Sequence, residues 1–258
     1  MKLGDLILKI FTLLVFALMY GPIVMMLAFS FNDSNVIGAW RGFTLHWYYE
    51  LFSSVDIWNA FRNSVLVALV TAMASIVLGT LTALAMVRYS FKGKNVLDGL
   101  LYVPIIIPEI TEALTLLLFY LWIGWGLQMG FATVAIGHIA FSVAFVFVIV
   151  RARMAGFDRS VEEAAKTLGA NEIQTFFRIT LPILLPGIVA AGLLAFTLSF
   201  DDFYKSVFTT GPAFDLLPLK IFSMASRGGV RPELNALATI ALMISMGFAL
   251  LYQWISKK

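Results

Sequence analysis

Residues 64–87 read SVLVALVTAMASIVLGTLTALAMV, from Ser64 to Val87, with no charged side chain among them. As a helix rising about 1.5 Å per residue this run covers roughly 36 Å, more than the ~30 Å hydrocarbon core of a bilayer. Working outward from it, comparable runs stand at Ile10 to Phe31, Leu97 to Trp122, Ala132 to Val150, Ile183 to Phe203 and Ala236 to Ile255, giving six predicted spans. The chain is 60% hydrophobic and 13% charged, with a mean hydropathy of +0.91. Soluble domains are about 45–50% apolar, so lipid is the expected solvent for most of these side chains. The fold class read from the pattern is an all-α membrane protein with six transmembrane helices in one domain over residues 1–258.

The net charge of +3 would point to nucleic acid in a soluble chain, but here the basic residues flank apolar runs, where they set orientation. One side collects Lys2, Lys9, Arg88, Lys92, Lys94, Arg151, Arg153, Arg159, Lys166, Arg178, Lys257 and Lys258, twelve in all. The other holds six: Arg41, Arg62, Lys205, Lys220, Arg227 and Arg231. Lys and Arg gather on the cytoplasmic side, so both termini are expected there. The first run follows Lys2 and Lys9 as a secretory signal would, yet it is too long and ends in Phe29, Ser30, Phe31 and Asn32 without a small-residue cleavage site. It is expected to be retained as a span. The exterior loops are then Asn32 to Asn63, a turn near Gly124 to Gly130, and Tyr204 to Asn235. Trp40, Trp47, Tyr48 and Tyr49 in the first of these fit an interfacial aromatic belt or a docking surface. Cysteine is absent, which excludes disulfides, a thiol nucleophile and Cys-ligated metal.

The cytoplasmic loop at 151–181 reads as two short helices. Ser160 and Glu163 have the spacing of a capping box, Gly169 ends that helix, Asn171 with Gln174 caps a second, and Pro182 is expected to stop it. Ile173, Phe176, Phe177 and Ile179 make the hairpin apolar, so it either enters a groove on a partner or folds back on its own helices. The segment EEAAKTLGANEIQTFFRITLP at 162–182 resembles the EAA loop of ABC-importer permeases: Glu163, Ala164, Ala165, Gly169, Ile179, Leu181 and Pro182 stand at the matching spacings. The resemblance implies the binding-protein-dependent ABC permease (MetI-like) fold. It also implies that Glu163, Ala164, Ala165, Gly169, Phe176 and Phe177 couple to a cytoplasmic ATPase. The chain has no G-x-x-x-x-G-K-[ST] motif, so ATP and Mg are expected on that separate subunit, with no cofactor here and no enzymatic activity.

Glu109 and Glu112 fall in the third run, and Asp201 and Asp202 at the outer end of the fifth. A charge near the bilayer centre costs roughly 2.5–3.5 kcal/mol on insertion scales, so these acids are candidates for function. Spacing of three puts Glu109 and Glu112 on one helix face, and Pro104 and Pro108 are expected to break the helix before them. No Lys or Arg lies inside any predicted span. The expected counter-charge is therefore a ligand, a partner or a proton, and a path with acids and no bases favours an organic cation over an anion. Paired carboxylates would also serve a membrane-embedded enzyme, but no nucleophile or metal set accompanies them. His138 is expected to make a helix-to-helix hydrogen bond rather than to bind metal. Gly79, Gly187, Gly192 and Gly247 are expected at close helix contacts.

FTLSFDDFYKSVFTTGP, LPLKIFSM and PELNALATI, with Ser30 to Asn32, the Trp-x-Gly-Phe-Thr run at Trp40 to Thr44 and the acid after Pro108, resemble the permeases of spermidine/putrescine importers, the PotC and PotI type. The resemblance implies that Trp47, Glu109, Ser199, Asp201 and Asp202 are pathway residues. Glu112 joins them on charge alone, since close relatives are expected to be uncharged there. It further implies a bacterial inner-membrane location, a second permease subunit as heterodimer partner, an ATPase dimer and an external polyamine-binding protein. An ABC permease for another small solute, such as an amino acid or sugar, is the alternative.

Overall fold

The computed structural model describes residues 3–34, 39–228 and 232–256. Lys2, Arg231, Lys257 and Lys258, counted above for orientation, lie outside the described residues. In chain order the helices are α1 (Leu3–Phe29), α2 (His46–Ser53), α3 (Val55–Arg88), α4 (Lys94–Ile106), α5 (Glu109–Trp122), α6 (Phe131–Ala155), α7 (Ser160–Thr167), α8 (Glu172–Thr175), α9 (Leu181–Phe200), α10 (Tyr204–Thr209), α11 (Leu217–Gly228) and α12 (Pro232–Ser256). Among the described residues there is no strand, only a single antiparallel bridge between Asn32 and Phe43.

Among the described residues, five helical segments are long and apolar enough to cross a membrane: Gly4–Phe29, Val55–Arg88, Phe131–Ala155, Glu172–Phe200 and Pro232–Ile255. The third predicted span is different. It is a pair, Lys94–Ile106 and Glu109–Trp122, bent by 107°, and the spans number six only if this pair is counted as one. The bend sits at Ile107 and Pro108, both extended, with ψ of 137° and 133°. Proline pushes the residue before it out of the helical region, which accounts for the break here. Pro104 lies within α4 and breaks nothing, so the expected double break is a single one.

The chain forms two compact units, Met1–Trp58 with Lys220–Ile244, and Asn59–Leu219 with Ser245–Lys258. In the first, α1 is apolar on every side and leaves its side chains exposed, as a helix surrounded by lipid does. The loop after it is knotted around Asn32. The Asn32 side chain donates to the Ala39 carbonyl and accepts from the Arg41 N–H, both at 2.8 Å, and Thr44 N–H donates to Phe31 O at 2.7 Å. Phe31 stacks on Phe43 at 5.3 Å, and the Ser30 and Tyr48 hydroxyls are 2.7 Å apart. The Ser30 to Asn32 and Trp40 to Thr44 motifs are thus two halves of one loop fastening.

In the second unit α6 and α9 form the central pair, α4 packs on α6, and α10 packs on α5 and α6. Small residues let the backbones approach. A Cβ on Gly79 would come within 2.7 Å of Val146 on α6, and one on Gly187 within 3.1 Å of Arg153. Gly192 is similarly closed by Ile76, whereas Gly247 faces open space and its expected packing role is overturned. In the 151–181 hairpin Pro182 does not end the second helix. A π-helical turn at Phe176–Thr180 carries α8 directly into α9, with the Leu181 N–H bonding back to Phe176 O, and Pro182 is accommodated just past this wider turn without ending the helix. Overpacking a tight helix contact costs about 1–3 kcal/mol. Gly79→Leu is therefore expected to lower the unfolding temperature of the solubilised protein, while Gly247→Leu leaves it unchanged; thermal unfolding of both variants checks this.

Candidate functional site

Lys205 is the centre of the arrangement. It lies on α10, immediately after the Asp201 end of α9, and α10 turns inward so that the Lys205 side chain is 1% exposed. Its Nζ sits 2.5 Å from Glu109 Oε1 and 2.6 Å from Asp202 Oδ2, and 3.9 Å from the centre of the Phe141 ring on α6. Asp202 is equally buried and also accepts from the Ser206 N–H at 3.0 Å. His138 completes the cluster: its Nδ1 is 2.7 Å from the Ser199 hydroxyl, and its Nε2 is 3.4 Å from Asp202 Oδ1 and 3.3 Å from the Ser206 hydroxyl. With the proton on Nε2, Nδ1 accepts from Ser199 and Nε2 donates toward Asp202. The helix-to-helix role expected for His138 is what the geometry shows.

The absence of an internal counter-charge is overturned. Lys205 belongs to a segment read from the sequence as an exterior loop, but α10 folds into the bundle and pairs Lys205 with both acids. The acids therefore have a base among them, and the argument for a travelling cation from unpaired acids alone falls. Glu109 and Glu112 also lie at the start of α5 rather than inside a continuous helix, where the positive end of the helix dipole favours carboxylates. Glu109 remains 40% exposed. Glu112 is half-buried, and its Oε2 has no hydrogen-bond partner among the described residues.

Of the remaining sequence-predicted residues, Ser199 is buried with its hydroxyl on His138. Asp201 is exposed and accepts a hydrogen bond from the Ser245 hydroxyl at 2.7 Å, so the neighbouring acids differ in environment. Trp47 lies in the first unit, where its indole N–H donates to the Asn32 carbonyl at 2.9 Å. The sequence reading missed Lys205, Phe141 and Ser206; Lys205 three residues after Asp202 was the available signal, since that spacing faces one side of a helix.

The loop hairpin is fastened by polar contacts. Glu162 accepts from Arg88 at the end of α3 and from the Thr180 hydroxyl, and Arg88 also reaches Thr180 at 3.1 Å. Lys166 pairs with Glu172 at 2.5 Å across the turn. Gly169 makes that turn at φ +90°, a conformation that favours glycine. The expected Asn171 and Gln174 box is present, at 2.8 and 3.0 Å. The expected Ser160 box is not: Asp158 instead accepts from the Ser160 N–H at 2.9 Å, and that bond holds the Asp158 carboxyl below its ordinary value. Leu168 is 89% exposed, and Ile173 and Phe177 are also exposed. The hairpin therefore keeps these apolar side chains out of its own bundle. Glu163 and Ala164 face outward, Ala165 is buried, and Phe176 is half-buried.

A family model described as "Binding-protein-dependent transport system inner membrane component" matches residues 75–257. The chain belongs to this family. The permease is 40% identical over 243 residues to the spermidine/putrescine transport system permease protein PotC of Escherichia coli (strain K12), covering 94% of this chain and 91% of the relative. It is 39% identical over 235 residues to the putrescine transport system permease protein PotI of the same strain, covering 89% and 83%. A chain of a bacterial ABC transporter that imports the acidic polysaccharide alginate superposes with a TM-score of 0.76 at 16% identity, covering 98% of the permease and 96% of that chain. The expected ABC-permease fold is thus shown, and the permease is a multi-pass membrane protein.

Removing one partner of a buried ion pair costs about 3–5 kcal/mol. Asp202→Asn is expected to destabilise the solubilised permease on that scale, while Asp201→Asn, which alters one exposed hydrogen bond, changes stability by less than about 1 kcal/mol. Thermal unfolding of the two variants separates these roles; equal shifts would contradict the assignment.

Proposed function

We propose that this chain is a permease subunit of an ATP-driven importer of polyamines, spermidine, putrescine or both. One observation carries the reading: the likeness to two polyamine permeases runs over nearly the whole chain at about 40% identity. The acids support it chemically. Glu109 and Asp201 are accessible carboxylates at the α5 start and the α9 end, and an alkylammonium is their natural complement. Asp202 and Ser199 act from behind, within the buried cluster, and Glu112 extends the acidic face of α5. Trp47 shapes the outer loop.

The chain pairs with a second, distinct permease, receives substrate from an external polyamine-binding protein, and is driven by an ATPase dimer carrying ATP and Mg on the cytoplasmic side. Both termini are cytoplasmic by the distribution of Lys and Arg. The exposed Leu168, Ile173 and Phe177 give the hairpin an apolar face of the kind that seats in a groove. The continuous helix from Glu172 to Phe200 links that face to Asp201.

Uptake of labelled spermidine and putrescine by cells producing the complete transporter tests the substrate class. Asp201→Asn is expected to lower uptake about tenfold, the worth of one charge-assisted hydrogen bond, with normal amounts of permease in the membrane; undiminished uptake removes Asp201 from the path. Phe177→Asp is expected to reduce ATPase co-purification with a folded permease.

A further inference from the structure

Two carboxylate oxygens at 2.5 and 2.6 Å and an aromatic face at 3.9 Å surround the Lys205 ammonium. Carboxylates to accept N–H and a ring face to stabilise charge are what a primary alkylammonium ligand requires. We propose that Lys205 is a tethered occupant of an amine subsite formed by Glu109, Asp202 and Phe141, and that a primary ammonium group of the transported solute takes its place there. The proposal rests on the polyamine reading above and adds a residue that sets how strongly the permease holds an amine.

The surroundings favour exchange over permanent bracing. Lys205 itself is sealed from solvent, but Glu109 is 40% exposed, so an incoming amine meets the shared carboxylate from its open side. The Lys stem is flexible and its head is a compact point charge, with the same –NH3+ chemistry as the end of a diamine. Glu112, three residues along the same face of α5, offers the unpartnered Oε2 as an acceptor for a displaced ammonium. Charge counting gives the consequence. With Lys205 in place, Glu109 and Asp202 present one net negative charge instead of two, so a bound solute competes with the protein's own amine.

Lys205→Ala empties the subsite while leaving both acids. In the solubilised transporter, propylammonium is expected to raise the unfolding temperature of Lys205→Ala and to leave the wild type and Lys205→Ala/Glu109→Gln unshifted. Labelled putrescine is expected to bind Lys205→Ala about tenfold more tightly than the wild type, because the competing occupant is gone. Absence of stabilisation by propylammonium, or putrescine binding no tighter than in the wild type, overturns the proposal. If Lys205→Ala does not accumulate, Lys205→Ser, which also removes the ammonium and keeps both acids, replaces it: tighter putrescine binding supports the exchange and wild-type binding overturns it. Failure of both variants to assemble would make Lys205 a brace and also overturn it. Wild-type transporter that carries neither spermidine nor putrescine would instead defeat the polyamine reading, while the propylammonium result still judges the subsite.

Discussion

The Lys205 ammonium is buried inside a helical bundle, and a charge so placed persists only with opposite charges in hydrogen-bonding reach. That requirement fixes the positions of four separate pieces of chain. Asp202 must follow α9 directly, α10 must turn inward, and Glu109 must stand where α5 begins. Phe141 on α6 lies beneath the ammonium. The break at Pro108 serves the same end, since a straight third span would bury Glu109 within a helix rather than at a helix start, where the backbone dipole also favours it. His138 and Ser199 extend the network through α6 and α9, so the polar cluster and the main helix contact of the unit are one construction.

The opposite end of the same unit follows a different rule. There the polar contacts, Arg88 with Glu162 and Thr180, fasten the hairpin to the ends of the spans, and apolar side chains are left outside. A helix that runs unbroken from Glu172 through the π turn to Phe200 places the second arm of the hairpin and Asp201 at the two ends of one continuous element. On the proposed reading, motion imposed on Ile173 and Phe177 would travel along this helix to Asp201 at its far end. Pro182, which reads as a stop, is accommodated because the π turn at Phe176–Thr180 stands immediately before it.

Much of this was legible residue by residue. Hydrophobic run length located the spans, because lipid demands about 20 apolar residues whatever their neighbours. Asn171 with Gln174 and Gly169 declared the hairpin, because capping and turn chemistry act over three or four residues. The motifs around Ser30 to Asn32 and Trp40 to Thr44 were visible as patterns, yet their meaning, one loop fastened around Asn32, needed coordinates. Ser160 misled, because Asp158 two residues earlier competed for the same N–H.

The sequence by itself determined the membrane class, the approximate spans and the hairpin, since each depends on local composition or short-range hydrogen bonding. Only the tertiary structure decided that Lys205 neutralises Glu109 and Asp202, that Asp201 and Asp202 occupy different environments, and that the third span is sharply bent. Ion pairing across 96 positions of chain, as between Glu109 and Lys205, depends on how helices return through space, and no periodicity within a single segment records that.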